Sequence, residues 1–392
     1  MLWCNVKVLD LLFVLLGFAV PIGLFGGRRC HVFCRVLDSY LVCRLVDVLR
    51  EVGVVSLLES GVSVSEVARR LGLDRDLLYR VVEALEVAGV FRWVGGRLVV
   101  RGVEPPSSGD LREFSPHFAL AVDFLVRRLV DRLRSSEDRV SALLDRSFYL
   151  MVFNVLHACP AMFYTRESLL SYLGFKPRDG VAVVEFVGVP YGDATVAVLR
   201  MLRGAGVGRF RYVAVLPSEK LCGEWWGVVE RWCGEFGVPE SYLSSIEYEV
   251  CGFGELSDFV HARDWCGRFD CVVSSSFLHW LPHDVRLNFI GCVFKLLCSG
   301  GRWFNLCSLY SRGRVTVLEL LLELFTEFCG CVSEYEFRGV GEVFRVERKV
   351  LCNLMSHSSL SFCAGKRGGG VGVSGEVLFL GKMYHYSFGT SV

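Results

Sequence analysis

The chain contains no glutamine, and lysine is scarce among its 43 basic residues, occurring only at Lys7, Lys176, Lys220, Lys295, Lys349, Lys366 and Lys382. It also lacks an excess of either charge: Lys+Arg is 43, Asp+Glu is 42, and the formal net charge is +1. That balance excludes a nucleic-acid coat and a polyanion mimic, both of which need a field of one sign. Charged residues make up 22% and apolar residues 52%, so the chain can bury a large core and is not intrinsically disordered. Long apolar runs are few. Leu11 to Gly27 is uncharged, close to the roughly 20 residues that span a bilayer. It has neither the basic start nor the small-residue cleavage site of a signal peptide, so export is not expected and a cytoplasmic location is. Three readings stay open for this segment: a helix buried in a dimer interface, membrane association through residues 8–27, or an over-called start codon.

Cysteine is abundant, at 17 residues. The cysteines are scattered among apolar neighbours rather than clustered as in a disulfide scaffold, and they read as small buried hydrophobes. Some pairs would be oxidised if the source were a hyperthermophile, a source the missing glutamine also fits. Cys30, His31 and Cys34, like Cys329 and Cys331, lack the paired ligand spacing of a zinc site, so no metal is expected.

A length of 392 residues points to two or three domains. After an apolar N-terminal segment over 1–37, the stretch 38–103 has the clearest local pattern. Tyr40 to Leu58 has helical apolar spacing. Ser63 and Glu66 form an expected capping box before a short helix to Leu71. Asp74 caps a helix over Arg75 to Ala88, which Gly89 ends. Phe91 to Val94 and Arg97 to Val100 then flank a Gly95-Gly96 turn, the signature of a hairpin. Helix, helix-turn-helix and hairpin in this order form a winged helix. Arg75 and Arg80 in its recognition-position helix are outnumbered by Asp76, Glu83 and Glu86, so phosphate neutralisation is poor and no nucleic-acid partner is expected. Dimerisation is the alternative use, and a homodimer is expected. Residues 104–175 read as a linker around Pro105-Pro106 and connecting helices over 117–134, 140–156 and 164–173.

From residue 176 strand and helix alternate. Strands are expected at Val181 to Val187, Arg211 to Leu216, Ile246 to Cys251, Cys271 to Val273 and Arg302 to Leu306, and again near Arg348 to Leu354 and Glu376 to Leu380. Such alternation predicts a doubly wound, mostly parallel α/β sheet, seven-stranded, with helices on both faces. Ligands then bind at the carboxyl ends of the strands, at the point where strand order reverses.

The run Phe269-Asp270-Cys271-Val272-Val273-Ser274-Ser275-Ser276-Phe277-Leu278-His279-Trp280-Leu281-Pro282, a helix, and then Leu297-Cys298-Ser299-Gly300-Gly301-Arg302 resembles the fourth-to-fifth-strand region of class I S-adenosylmethionine-dependent methyltransferases. The winged helix before it resembles the dimerisation domain of their small-molecule O-methyltransferase branch. The resemblance implies a Rossmann-like methyltransferase domain over 176–392, S-adenosylmethionine as cofactor and a small, apolar acceptor methylated at oxygen. It places the general base at His279 and the cofactor contacts at Glu185, Gly188, Gly192, Leu216, Phe253 and Ser275. Three of these positions depart from the family pattern. The glycine positions of the loop after the first strand hold Val187, Val189 and Tyr191. Leu216 stands where an acid would hold the ribose, with Glu219 a substitute only if the loop turns back. Phe253 replaces an acid near the adenine. Weak or absent cofactor binding is therefore expected, and Leu216→Asp should strengthen it. Two further readings stay open: a non-catalytic methyltransferase-like dimer and a winged-helix DNA-binding regulator.

Overall fold

The protein is described by a computed structural model covering residues 26–101, 116–134, 160–188, 192–311, 313–326, 328–353, 358–366 and 376–379. Most of the Leu11–Gly27 run, the helix expected over 140–156, and Val189 and Tyr191 of the loop lie outside these residues. Among the described residues no helix is long and apolar enough to cross a membrane. The chain divides into two compact units, Met1–Ser168 and Leu169–Val392.

In the first unit a long helix, Gly26–Glu51, is followed by a separate short helix, Val54–Glu59. The single helix expected from Tyr40 to Leu58 is broken because Gly53 adopts φ +86, which stops the helical ladder. Ser63 caps the helix Val64–Leu71 by accepting the Glu66 N–H at 3.3 Å. The return half of the expected capping box is not made. The Glu66 carboxylate instead takes Arg69 at 2.6 and 2.8 Å and Arg70 at 2.7 Å, and these hydrogen bonds hold its pKa down at about 2. Asp74 accepts the Leu77 N–H at 2.9 Å and starts the helix Arg75–Val87. Strands β1 (Phe91–Val94) and β2 (Arg97–Val100) pair antiparallel in the order the sequence predicts. Gly95 and Gly96 join them with φ +59 and +79, the positive values a two-residue hairpin turn of the primed type needs. The helix Pro116–Arg134 packs on the first helix, where Asp123 takes Arg44 at 2.8 Å and the Tyr40 hydroxyl at 3.3 Å.

The second unit is an α/β sheet of eight strands: β3 (Val181–Val187), β4 (Phe210–Leu216), β5 (Ile246–Val250), β6 (Phe269–Ser275), β7 (Leu297–Leu309), β8 (Phe344–Asn353), β9 (Ser358–Lys366) and β10 (Glu376–Phe379). Their spatial order is β10-β8-β9-β7-β6-β3-β4-β5. β3 to β7 are parallel, and β9 runs antiparallel between β7 and β8. The sequence pattern missed β9. Its run Ser-Ser-Leu-Ser-Phe-Cys-Ala-Gly-Lys is half small and polar and gives no apolar block, yet Leu360, Phe362, Cys363 and Ala364 are buried. The edge strand β10 falls where the sequence puts its last strand, and β9 is the one strand added to the seven expected.

Helices cover both faces, which is what makes the sheet doubly wound. Along β3 side chains alternate between the faces. Phe186 points to one face, where it meets Phe277 and Phe289 at centroid distances of 5.8 and 4.9 Å. Phe289 belongs to the helix His283–Leu296 and packs on Trp303 of β7 at 5.8 Å. Glu185 points to the other face, under the helices Asp193–Gly204 and Glu219–Glu235. β4 and β5 lie on one side of β3, and β6 and β7 on the other. Strand order therefore reverses between β3 and β6, the place at whose carboxyl ends sheets of this kind bind their ligands.

Twelve described cysteines are free thiols, and Cys43, Cys222, Cys233, Cys251, Cys292 and Cys363 among them are buried. Burial pushes the Cys233 and Cys363 thiols up to about 12, which keeps them protonated and inert.

Candidate functional site

The reversal point is built from the ends of β3 and β6. Val187 pairs with Ser275. Ser275, buried, donates from Oγ to Asp193 Oδ1 at 3.4 Å, and the same oxygen accepts the Ala194 N–H at 2.9 Å. Asp193 is thus a buried carboxylate on the first turn of its helix, tied to the end of β6. Its helix position gave no sign of the Ser275 contact, which spans 82 residues.

Gly188 follows β3 and is buried. A Cβ there would meet Trp280 Cδ1 at 3.0 Å, Phe277 Cδ2 at 3.1 Å and the Phe277 backbone at 3.2 Å. Only glycine lets the turn after β6 approach the end of β3 so closely. Gly192 has a different reason. It sits at φ +60, and a Cβ would come 2.8 Å from Val229 Cγ2, so it seats the helix start against Glu219–Glu235. Both glycines are required by contacts inside the protein.

The turn after β6 carries His279. Ser276 takes the left-handed conformation, φ +46, while its N–H bonds to Leu306 O at 2.9 Å. Leu278–Trp280 then form a short 3-10 turn whose three residues are buried. The Leu309 N–H donates to His279 Nδ1 at 3.3 Å, and the His279 carbonyl accepts the Cys329 N–H at 3.1 Å. A neutral imidazole that accepts at Nδ1 carries its proton on Nε2. This contact orients the ring through Nδ1.

Glu185 lies within β3. It is 2% exposed, and its Oε2 accepts the Thr195 hydroxyl at 2.5 Å and the Tyr212 hydroxyl. Thr195 Oγ1 in turn accepts the Trp225 indole N–H at 3.2 Å. Burial pushes the Glu185 pKa up to about 7; the Thr195 and Tyr212 hydrogen bonds pull it down, and the Asp193 charge adds to the rise. Leu216 is fully buried at the end of β4 and its carbonyl accepts the Cys251 N–H at 2.9 Å. Glu219 is the exposed first residue of a helix capped by Ser218. Phe253 begins the short turn Phe253–Glu255, and its side chain lies outside what the structure describes.

A second buried cluster holds the far side of the turn. Arg286 donates from Nη1 to both Glu336 oxygens at 2.9 and 3.1 Å, from Nε to Leu281 O at 2.8 Å, and to the Cys331 carbonyl at 3.0 Å. Glu336 also accepts from Ser333 and from His283 at 2.8 Å. Although burial opposes it, these hydrogen bonds and the Arg286 charge lower the Glu336 pKa. Among the described residues no group of His, Cys, Asp and Glu is placed to hold a metal ion.

No family model matches the chain, and no curated protein matches it. Among solved structures it is similar to the CurJ carbon methyltransferase, at 14% identity over 93% of this chain and 97% of that one, with a TM-score of 0.48. It is similar to the DszA carbon methyltransferase at 15% identity over 88% and 93%, TM-score 0.48. An O-methyltransferase family 2 protein from Planctomyces limnophilus, in complex with apigenin, matches at 17% identity over 87% and 96%, TM-score 0.39.

Proposed function

We propose that the chain is an S-adenosylmethionine-dependent methyltransferase acting on a small, apolar acceptor. The observation that carries this reading is the reversal of strand order between β3 and β6, at whose carboxyl ends Val187, Ser275 and Asp193 are joined. The residues fit one end of the cofactor. Asp193 with Ser275 would hold the amino-acid end of the methionyl group. The ribose end has no acid from β4, since Leu216 is buried in the core. When bound, the cofactor supplies an electrophilic methyl group. The protein's own part is to hold the acceptor against it, to exclude water with Phe277, Leu278 and Trp280, and, at His279 on the turn after β6, to take the acceptor's proton.

The buried Leu216 also favours a second reading, a methyltransferase-like dimer that has lost the cofactor. Titration calorimetry with S-adenosylhomocysteine separates the two: binding in the micromolar range supports the enzyme, and none at millimolar concentration supports the second reading. An interface formed by the first unit, rather than a DNA contact, is part of the proposal. The acidic balance of Arg75–Val87 supports it, and retardation of duplex DNA at physiological salt would overturn it.

A further inference from the structure

A cleft lies over β8 and β9, which β7 and β6 separate from β3 and the strand reversal. Lys349 and Leu351 are two residues apart on β8 and so share a face. Leu351 pairs with Leu360 of β9. Phe337, on the helix Glu334–Val343, and Tyr310, just after β7, complete the lining of about 250 Å³ of space open to solvent. Tyr310, Phe337 and Leu351 pack on the core at their backs but are only half-buried. The walls are fixed rather than free to fold inward. A capping box of Ser333 and Glu336 starts the Phe337 helix, and the Tyr310 hydroxyl donates to Glu334 on the same helix. With that hydroxyl engaged, the polar group left to a ligand is the Lys349 ammonium. It is half-buried, stands 5.1 Å from the Phe337 ring centroid and has no ion-pair partner among the described residues. A cation drawn partly out of water is costly without an anion, and a ring face offsets only part of that cost.

We propose that this cleft is a ligand site for a small aromatic monocarboxylate, whose carboxylate pairs with Lys349 and whose ring lies among Tyr310, Phe337, Leu351 and Leu360. One lysine is a compact single charge, which one carboxylate matches. Four of the five lining residues are apolar or aromatic, so the ligand needs an apolar body to bury, and inorganic phosphate has none. The volume is below the roughly 300–1,000 Å³ of drug-sized sites and suits a single ring. The site stands apart from the methyltransferase reading and does not depend on it.

Three probes separate the two requirements: benzoate has ring and charge, benzamide has the ring without the charge, and inorganic phosphate has charge without a ring. In the full chain with methyl-labelled leucine, benzoate should move the Leu351 and Leu360 methyl resonances saturably through its ring current, at millimolar concentration or below. Leu351→Ile and Leu360→Ile assign the two signals. Benzamide should bind about tenfold more weakly or worse, and phosphate should leave both signals in place. Lys349→Met keeps most of the apolar stem and removes the charge, and should weaken benzoate by about tenfold or more, the range for a hydrogen bond to a charged group. If Lys349→Met loses its fold by circular dichroism, the contrast between benzoate and benzamide on wild-type protein decides. No saturable movement of these signals with benzoate at millimolar concentration overturns the proposal. Equal binding of benzoate and benzamide, or equal binding of benzoate by a folded Lys349→Met, overturns it as well.

Discussion

Glu185 makes the stability of the α/β unit depend on pH in a direction opposite to that of a surface carboxylate. Its folded pKa is raised to about 7 against an ordinary value of 4.5, first by burial, with the Asp193 charge adding to it and two hydroxyl donors only partly offsetting it. Below about pH 4.5 both folded and unfolded chains hold the proton and the group has no effect. As pH rises above that, the unfolded chain releases the proton while the folded chain keeps it, so stability falls until the folded carboxyl ionises near pH 7. A difference of about 2.5 pKa units corresponds to roughly 3 kcal/mol in full, of which about 2–3 kcal/mol develops between about pH 5 and pH 8. Glu185→Gln keeps an acceptor oxygen for Thr195 and Tyr212 and removes the titration. Urea unfolding of both proteins, followed by tryptophan fluorescence at fixed ionic strength, should show the variant gaining on wild type by about that amount from pH 5 to pH 8. Tyr212→Phe, which removes a donor to the charged form, should make the wild-type fall extend to higher pH. A difference between Glu185→Gln and wild type that does not change with pH, or that shrinks as pH rises, would refute the reasoning and mean that the carboxyl is ionised in the core.

Further outcomes follow from the same packing. Gly192→Ala combines a φ of +60 with a Cβ 2.8 Å from Val229, and should cost about 1–3 kcal/mol, whereas Gly95→Ala, with open space around it, should cost less. Differential scanning of the two variants checks the contrast. Leu216→Ala should cost about 2–5 kcal/mol, and Leu216→Asp more, because the position is core; Leu216→Asp should therefore lose stability in urea rather than simply strengthen cofactor binding. Glu336→Gln removes the charge that Arg286 faces while both are buried, and should cost about 3–5 kcal/mol by denaturant midpoint. The Glu336 pKa is lowered on folding, so the stability this group contributes in wild type is present above the ordinary carboxylate range and lost as pH falls through its folded value.

The sequence by itself determined the elements whose signal is local. The helix starts at Ser63 and Asp74, the Gly95-Gly96 hairpin and the apolar runs of β3, β4 and β6 depend on neighbours within a few residues, and they appear where the pattern puts them. The same holds for the doubly wound class, which follows from alternation alone. Tertiary structure decided the rest, because each remaining question turned on partners far apart in the chain. Glu185 stands at the position of a strand-end acid, and its partners come from elsewhere: Tyr212, 27 residues on, and the Thr195–Trp225 pair. His279 stands at the position of a base, and its ring is held from 30 residues on by the Leu309 amide. β9 has no apolar block of its own and exists as a strand because β7 and β8 flank it on both sides. Trp280 reads as an ordinary aromatic in a turn. Only the close approach of Gly188, 92 residues away, puts its ring against the end of β3, where strand order reverses.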